Sequence, residues 1–338
     1  MRKRYPLAAL ALTVAASGAL AQIPDARGEI WIYTSMYQYV IDKLQPELRK
    51  QFPNLKVNWY TAGSETVAAR ITAEQEAGKL QADLAMTSDP FWYEQQARAG
   101  NFIKYPSLSH RRVPAALRDT EGYWTTVRIP VMVIAYNKNL IKEDDAPKGF
   151  KDLADAKWKG KLTMPSPLES GTAFTLVAAL SDKYGWDYFS SLKANGITAA
   201  GGNGATLRRI ASGEFQVGPV LEENIFQAMD TGTTNIGIVY PNDGAVPVPS
   251  PIAIFKTSKN QAAAKYVYDW LLSAKAQAFI VNPGQMHAPL ESKAPVSKTA
   301  KSQPYNSLNL FPWDYNFVKK IATSRDAIKN EVVKRLGL

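Results

Sequence analysis

The stretch Val127–Asn137, VRIPVMVIAYN, is a long apolar run interrupted by Pro130, and Val246–Lys256, VPVPSPIAIFK, is a second run of the same kind. A proline lacks the N–H that a central strand must donate, so within sheets it sits at edges, starts or breaks. Each run therefore reads as an extended crossover between two bodies of structure. Crossovers at residues 128–137 and 246–256 mean that the chain leaves one α/β lobe, builds another and returns.

Working outward, the first lobe shows strands alternating with helices. Ile30–Tyr33 within GEIWIYTSMY is β-branched and aromatic, and Tyr39–Gln51 is an amphipathic helix stopped before Pro53. LKVNWYTAG is a second strand, Glu65–Ala77 a helix, ADLAMTSDP a short third strand, and Pro90 opens another helix. This alternation predicts βαβ units and a sheet rich in parallel pairs. In the second lobe, KGFKDLADAKWKGKLTMPSP holds a short helix, a turn and a strand. ATLRRIASGEF is a helix closed by Gly213, QVGPVLEEN a strand entering a loop, and NIGIVYPNDG a strand. The C-terminal third is helical, and no internal repeat is visible.

The start of the chain reads as an export signal. MRKRY is basic, Leu7–Leu20 is apolar and too short to span a membrane, and Ala19–Ala21 forms a small-residue cleavage site. Residues 22–338 then form the mature protein, enough for two lobes of ordinary domain size. The formal charge of +10 includes three cations in the leader. No basic run exceeds three residues, which argues against nucleic acid, and the positive balance fits solubility or attraction of an anionic solute. With no cysteine in 338 residues, disulfides, thiolate metal sites and cysteine nucleophiles are excluded.

Catalytic patterns are thin. His110 and His287 are the two histidines and lack metal-motif spacing, and there is no nucleophile elbow, P-loop or GxGxxG after a strand. A secreted phosphate-ester hydrolase, the competing class, would need such a set. The expectation is a non-enzymatic protein without cofactor or resident metal.

The chemistry instead gathers at helix starts: Ser170-Gly171-Thr172, Asn203 before ATL, Ser35 in YTSMY, and Ser64 after Gly63. A helix N-terminus carries free N–H donors and a positive dipole end, which suit a phosphate or phosphonate. Each alone is an ordinary cap; several in one interrupted α/β chain point to a shared anion cleft. Asp89 ends a strand where ligands of open α/β sheets bind, although it also suits an N-cap for the Pro90 helix. Tyr37, Trp92, Tyr93, Trp124 and Tyr240 are candidate aromatic walls, with Tyr37 and Tyr240 ranked first.

IWIYTSMY, ADLAMTSD, YNKNLI, WKGKLTMPSPLESGTAF, ASGEFQVGPV and YPNDGAVPVPSPIAI resemble periplasmic solute-binding proteins of bacterial ABC importers. The branch resembled is that of ferric-ion-binding proteins, which also holds binders of hexose phosphates and aminoethylphosphonate. The resemblance covers the whole mature chain. It implies a two-lobed type II periplasmic binding protein, each lobe a mixed sheet flanked by helices, joined by two crossover strands. Residues 22–128 and 257–338 would form lobe 1, with the C-terminal helices, and residues 129–256 lobe 2. It implies a periplasmic monomer whose partners are a small anion, a membrane permease and its ATPase.

The resemblance also assigns the anion to Ser170, Gly171, Thr172 and Asn203, with Ser35 from the opposite lobe. Where ferric binders carry adjacent tyrosines, this chain has Glu222 and Glu223, and YTSMY lacks the usual histidine. A carboxylate pair there could bind a metal, and suits a cationic amine or sugar hydroxyls equally. 2-Aminoethylphosphonate is the first expected ligand, a hexose phosphate the next and ferric iron after it.

Overall fold

The computed structural model describes residues 26–291 and 293–338. The expected signal peptide, residues 1–21, lies outside them. Strand β1 (Gly28–Thr34) leads through α1 (Gln38–Gln51) to β2 (Leu55–Thr61), and α2 (Ser64–Glu76) leads to β3 (Leu84–Met86). Then come α3 (Pro90–Arg98), α4 (Leu108–Arg112) and β4 (Trp124–Arg128). The second half of the fold holds β5 (Val131–Asn137), β6 (Thr163–Met164), α5 (Gly171–Tyr184) and α6 (Trp186–Ala194). It continues with β7 (Thr198–Ala199), α7 (Asn203–Ser212), β8 (Val217–Leu221), α8 (Glu222–Asp230), β9 (Ile236–Val239) and β10 (Val246–Pro247). The chain ends with β11 (Ser250–Ile254), α9 (Gln261–Leu271), α10 (Ala274–Gly284) and α11 (Tyr315–Leu336).

The first sheet has the order β2-β1-β3-β11-β4, parallel among β1, β2 and β3, with β11 antiparallel to β3 and β4. Its alternation sorts side chains by face. Ile30 and Ile32 join Val40, Ile41, Leu44 and Leu48, the apolar stripe of α1, together with α9 and α10. Tyr33 points to the other face, into a core shared with α3, α5 and α11. In the second sheet β5 is central, antiparallel to β8, β9 and β10, and a parallel bridge from Leu162 to Val217 brings in β6 and β7.

The polypeptide passes between the sheets through Ile129–Pro130 and Val248–Pro249. These two links are tied together: Val248 N donates to Pro130 O at 2.8 Å, and Ile129 N donates to His287 O at 2.9 Å. Pro130 and Pro249 thus fall in the links, where no ladder donor is needed, but most of the two runs expected as crossovers forms β5 and β11, with Pro251 taken into β11 at a register shift.

Helix α11 does not belong to the first sheet alone. Arg325 pairs with Asp89 and Glu65 beside that sheet, whereas Arg335 reaches Asp187 and Ser190 on α6. Among the described residues no helix is long and apolar enough to cross a membrane.

Candidate ligand cleft

The starts of α2, α5 and α7 converge on one cleft of about 520 Å³ between the two sheets. Ser35, Ser64, Ser88 and Arg128 line it from the first-sheet side, and Ser170, Thr172, Asn203, Asn224 and Gln227 from the other. Neither α2 nor α7 has a side-chain cap, because glycine occupies both cap positions, Gly63 and Gly202. No side chain thus competes for their first-turn amides, although Ala205 N of α7 donates to Gly202 O at 3.1 Å. On α5, Ser170 Oγ accepts from Ala173 N at 3.4 Å and lies 2.9 Å from Thr172 Oγ1. Asn203 Nδ2 donates to Thr172 Oγ1 at 2.7 Å, joining two helix starts, while the buried Asn203 Oδ1 has no partner.

Arg128, at the end of β4, supplies the positive charge and is 2 % exposed. Its guanidinium donates to Ser88 Oγ at 3.0 Å, to Ser35 O and Oγ at 3.4 Å, and to Met286 Sδ at 3.1 Å. None of these acceptors is a carboxylate, and the buried Nε has no partner. A buried cation without a paired anion costs several kcal/mol, roughly, in desolvation. The sequence reading missed Arg128; its signal was a single arginine near the start of an apolar run, one residue before the Ile129–Pro130 link.

The expected residues separate into three groups. Ser35, Tyr37, Ser64, Ser170, Thr172 and Asn203 line the cleft, with Gly171 packed at its edge. Glu222, Glu223 and Tyr240 lie behind the wall. Glu222 is buried with both oxygens engaged, by the Tyr240 hydroxyl and by His287 Nε2 at 2.9 Å. Glu223 accepts from the Tyr37 hydroxyl at 3.3 Å, and burial pushes its carboxyl up to about 8 against the pull of Arg128. Burial raises both phenols, with Glu223 reinforcing Tyr37 and Glu222 reinforcing Tyr240. Asp89 does not reach the cleft. Its Oδ1 accepts from Phe91 N and Trp92 N as the cap of α3, and its Oδ2 pairs with Arg325 at 2.6 Å. Trp92, Tyr93 and Trp124 are core residues rather than cleft walls.

A larger hollow of about 800 Å³ lies along the first sheet near Glu29, Lys79 and Lys256. Asp83, buried there, is already satisfied by Trp31 N and the Ser258 hydroxyl. It offers no unpaired charge of the kind that Arg128 presents. Among the described residues no group of three or more His, Cys, Asp or Glu is arranged to hold a metal ion.

The family profile of bacterial extracellular solute-binding proteins matches residues 80–317. The chain belongs to that family. This solute-binding protein is similar to "Iron uptake protein A1" of Synechocystis sp., 25% identical over 299 residues, 84% of this chain and 81% of that one. It is also similar to the "Putative 2-aminoethylphosphonate-binding periplasmic protein" of Salmonella typhimurium, 26% identical over 234 residues, 66% of each chain. In fold it matches the periplasmic binding protein AfuA from Actinobacillus pleuropneumoniae, solved with fructose-6-phosphate. The TM-score is 0.79 at 22% identity, covering 92% of this chain and 99% of that one. The two-lobed type II architecture is therefore the fold of this solute-binding protein, and its family is one of binding proteins. Another relative, from Sinorhizobium fredii, 25% identical over 277 residues, is named a "Probable ABC transporter periplasmic-binding protein".

Proposed function

We propose that this protein captures a small phosphorus-containing organic anion, 2-aminoethylphosphonate first among them, and passes it to its permease. The observation that carries this reading is Arg128, a buried cation without an ion-pair partner among its contacts, facing a cleft ringed by helix starts. An anion there offsets the desolvation of the guanidinium and meets hydroxyl and N–H donors already aimed at it. In this reading the anion rests on Arg128, Ser35, Ser64, Ser170, Gly171, Thr172 and Asn203. The two lobes, one built around each sheet, hinge at the two crossovers and close on the ligand as a monomer.

A hexose phosphate is the second reading. The cleft is larger than a two-carbon phosphonate fills, and the amides of Asn224 and Gln227 suit sugar hydroxyls. Ferric iron ranks third, because Tyr37 and Tyr240 keep their protons and donate them to Glu223 and Glu222. Calorimetry with 2-aminoethylphosphonate, fructose-6-phosphate and a ferric salt tests this order. Binding of either phosphorus anion supports the reading. A visible iron–phenolate band with no heat from either anion overturns it.

A further inference from the structure

We infer that Glu169 selects among such anions by pairing with a cationic group on the ligand; this rests on the anion reading of the same cleft. The described residues that line the cleft include one side-chain cation, Arg128, and one carboxylate, Glu169. Arg128 is buried on one wall, and Glu169 stands exposed at the rim. A cleft with one charge of each sign, at different depths, complements a zwitterion.

Glu169 is also held in place. Its N donates to Ser166 O at 3.2 Å, and its Oε1 accepts from Gly201 N at 3.2 Å. Its carbonyl faces Gly63 across the cleft, so closely that a Cβ at Gly63 would lie 2.9 Å away. The carboxylate thus stands just before the Ser170 cap that presents the anion-binding hydroxyls. Glu222 and Glu223 are poorer candidates: Glu222 has both oxygens engaged, and the Tyr37 hydroxyl sits on Glu223. An amine could reach Glu223 only by displacing that phenol.

Depth sets the size of the effect. An ion pair at an exposed rim is worth at most about 1 kcal/mol, roughly fivefold in affinity. Reading by a fully buried carboxylate would give about a hundredfold or more. Calorimetry of the full mature protein with 2-aminoethylphosphonate and ethylphosphonate, in wild type, Glu169→Gln and Glu223→Gln, separates the possibilities. We expect wild type to prefer the amine by about fivefold, less in high salt. Glu169→Gln should lose the preference while its affinity for ethylphosphonate stays the same, and Glu223→Gln should retain it. A preference that survives Glu169→Gln, or vanishes in Glu223→Gln, overturns the assignment. Equal wild-type affinities also overturn it while leaving the anion reading intact. Binding of neither phosphonate overturns the assignment as well, and if fructose-6-phosphate also gives no heat the anion reading itself falls.

Discussion

Gly171, the first residue of α5, lies so close to Ser88 on the opposite sheet that a Cβ would fall 2.5 Å from the Ser88 carbonyl oxygen and 2.9 Å from Ser64 Cβ. Gly63 faces the Glu169 carbonyl with the same lack of room. Two glycines thus let the backbones of the two sides approach directly, beside the helix starts that line the cleft. Gly63→Ala with Gly171→Ala should hold the sides apart. Because the chain has no cysteine, spin labels on exposed Ala69→Cys and Ala194→Cys can report the separation without background. A longer label distance and weaker phosphonate binding are expected, at near-normal thermal stability. An unchanged distance would show that the lobes absorb the methyl groups locally.

Arg128→Met keeps the length and apolar stem of the side chain and removes its charge. Affinity for a phosphonate should fall by about a hundredfold or more, since truncating one partner of a buried charge pair costs roughly 2–5 kcal/mol. The ligand-free protein should melt no lower than wild type, because an uncompensated buried cation has gone. Loss of stability together with retained affinity would make Arg128 a structural residue.

Ser170→Ala with Thr172→Val removes two linked hydroxyls at the start of α5. Each hydrogen bond to a charged group is worth roughly 1.5–3 kcal/mol. Affinity should drop at least about tenfold, with a smaller loss of helix stability from the missing cap. Unchanged calorimetric affinity would leave the motif as a cap alone.

Glu223 should make the apo protein less stable in mild alkali. Burial pushes its carboxyl up to about 8 in the fold, from an ordinary value of 4.5. Between those values the folded chain holds a proton that the unfolded chain has released, so stability falls as pH rises through that window. Glu223→Gln stays neutral throughout. It should match wild type near pH 4 and exceed it above pH 8, by something on the order of 2–4 kcal/mol. Thermal melts across this range check the sign; parallel curves would refute it.

Much of the architecture was legible because it follows from local rules. Pro130 and Pro249 mark the links since proline brings no ladder donor, and the period of Val40, Ile41, Leu44 and Leu48 marks α1 as one-faced. Ser170 and Asn203 were legible as helix starts for the same reason, a short polar side chain or a glycine beside an apolar run. Such signals lie within a few residues of one another.

What only the tertiary structure decided is which of these groups share a space. Asp89 follows β3 and Arg128 ends β4, yet Asp89 is neutralised by Arg325 from α11, 236 residues away, and Arg128 meets no carboxylate. Glu222 and Glu223 read as cleft residues in the sequence, and α8 turns them inward to His287, Tyr240 and Tyr37. Glu169, to which the sequence reading gave no role, stands exposed at the rim. A charge takes its meaning from its depth and its partners. Both come from long-range packing, which no local pattern encodes.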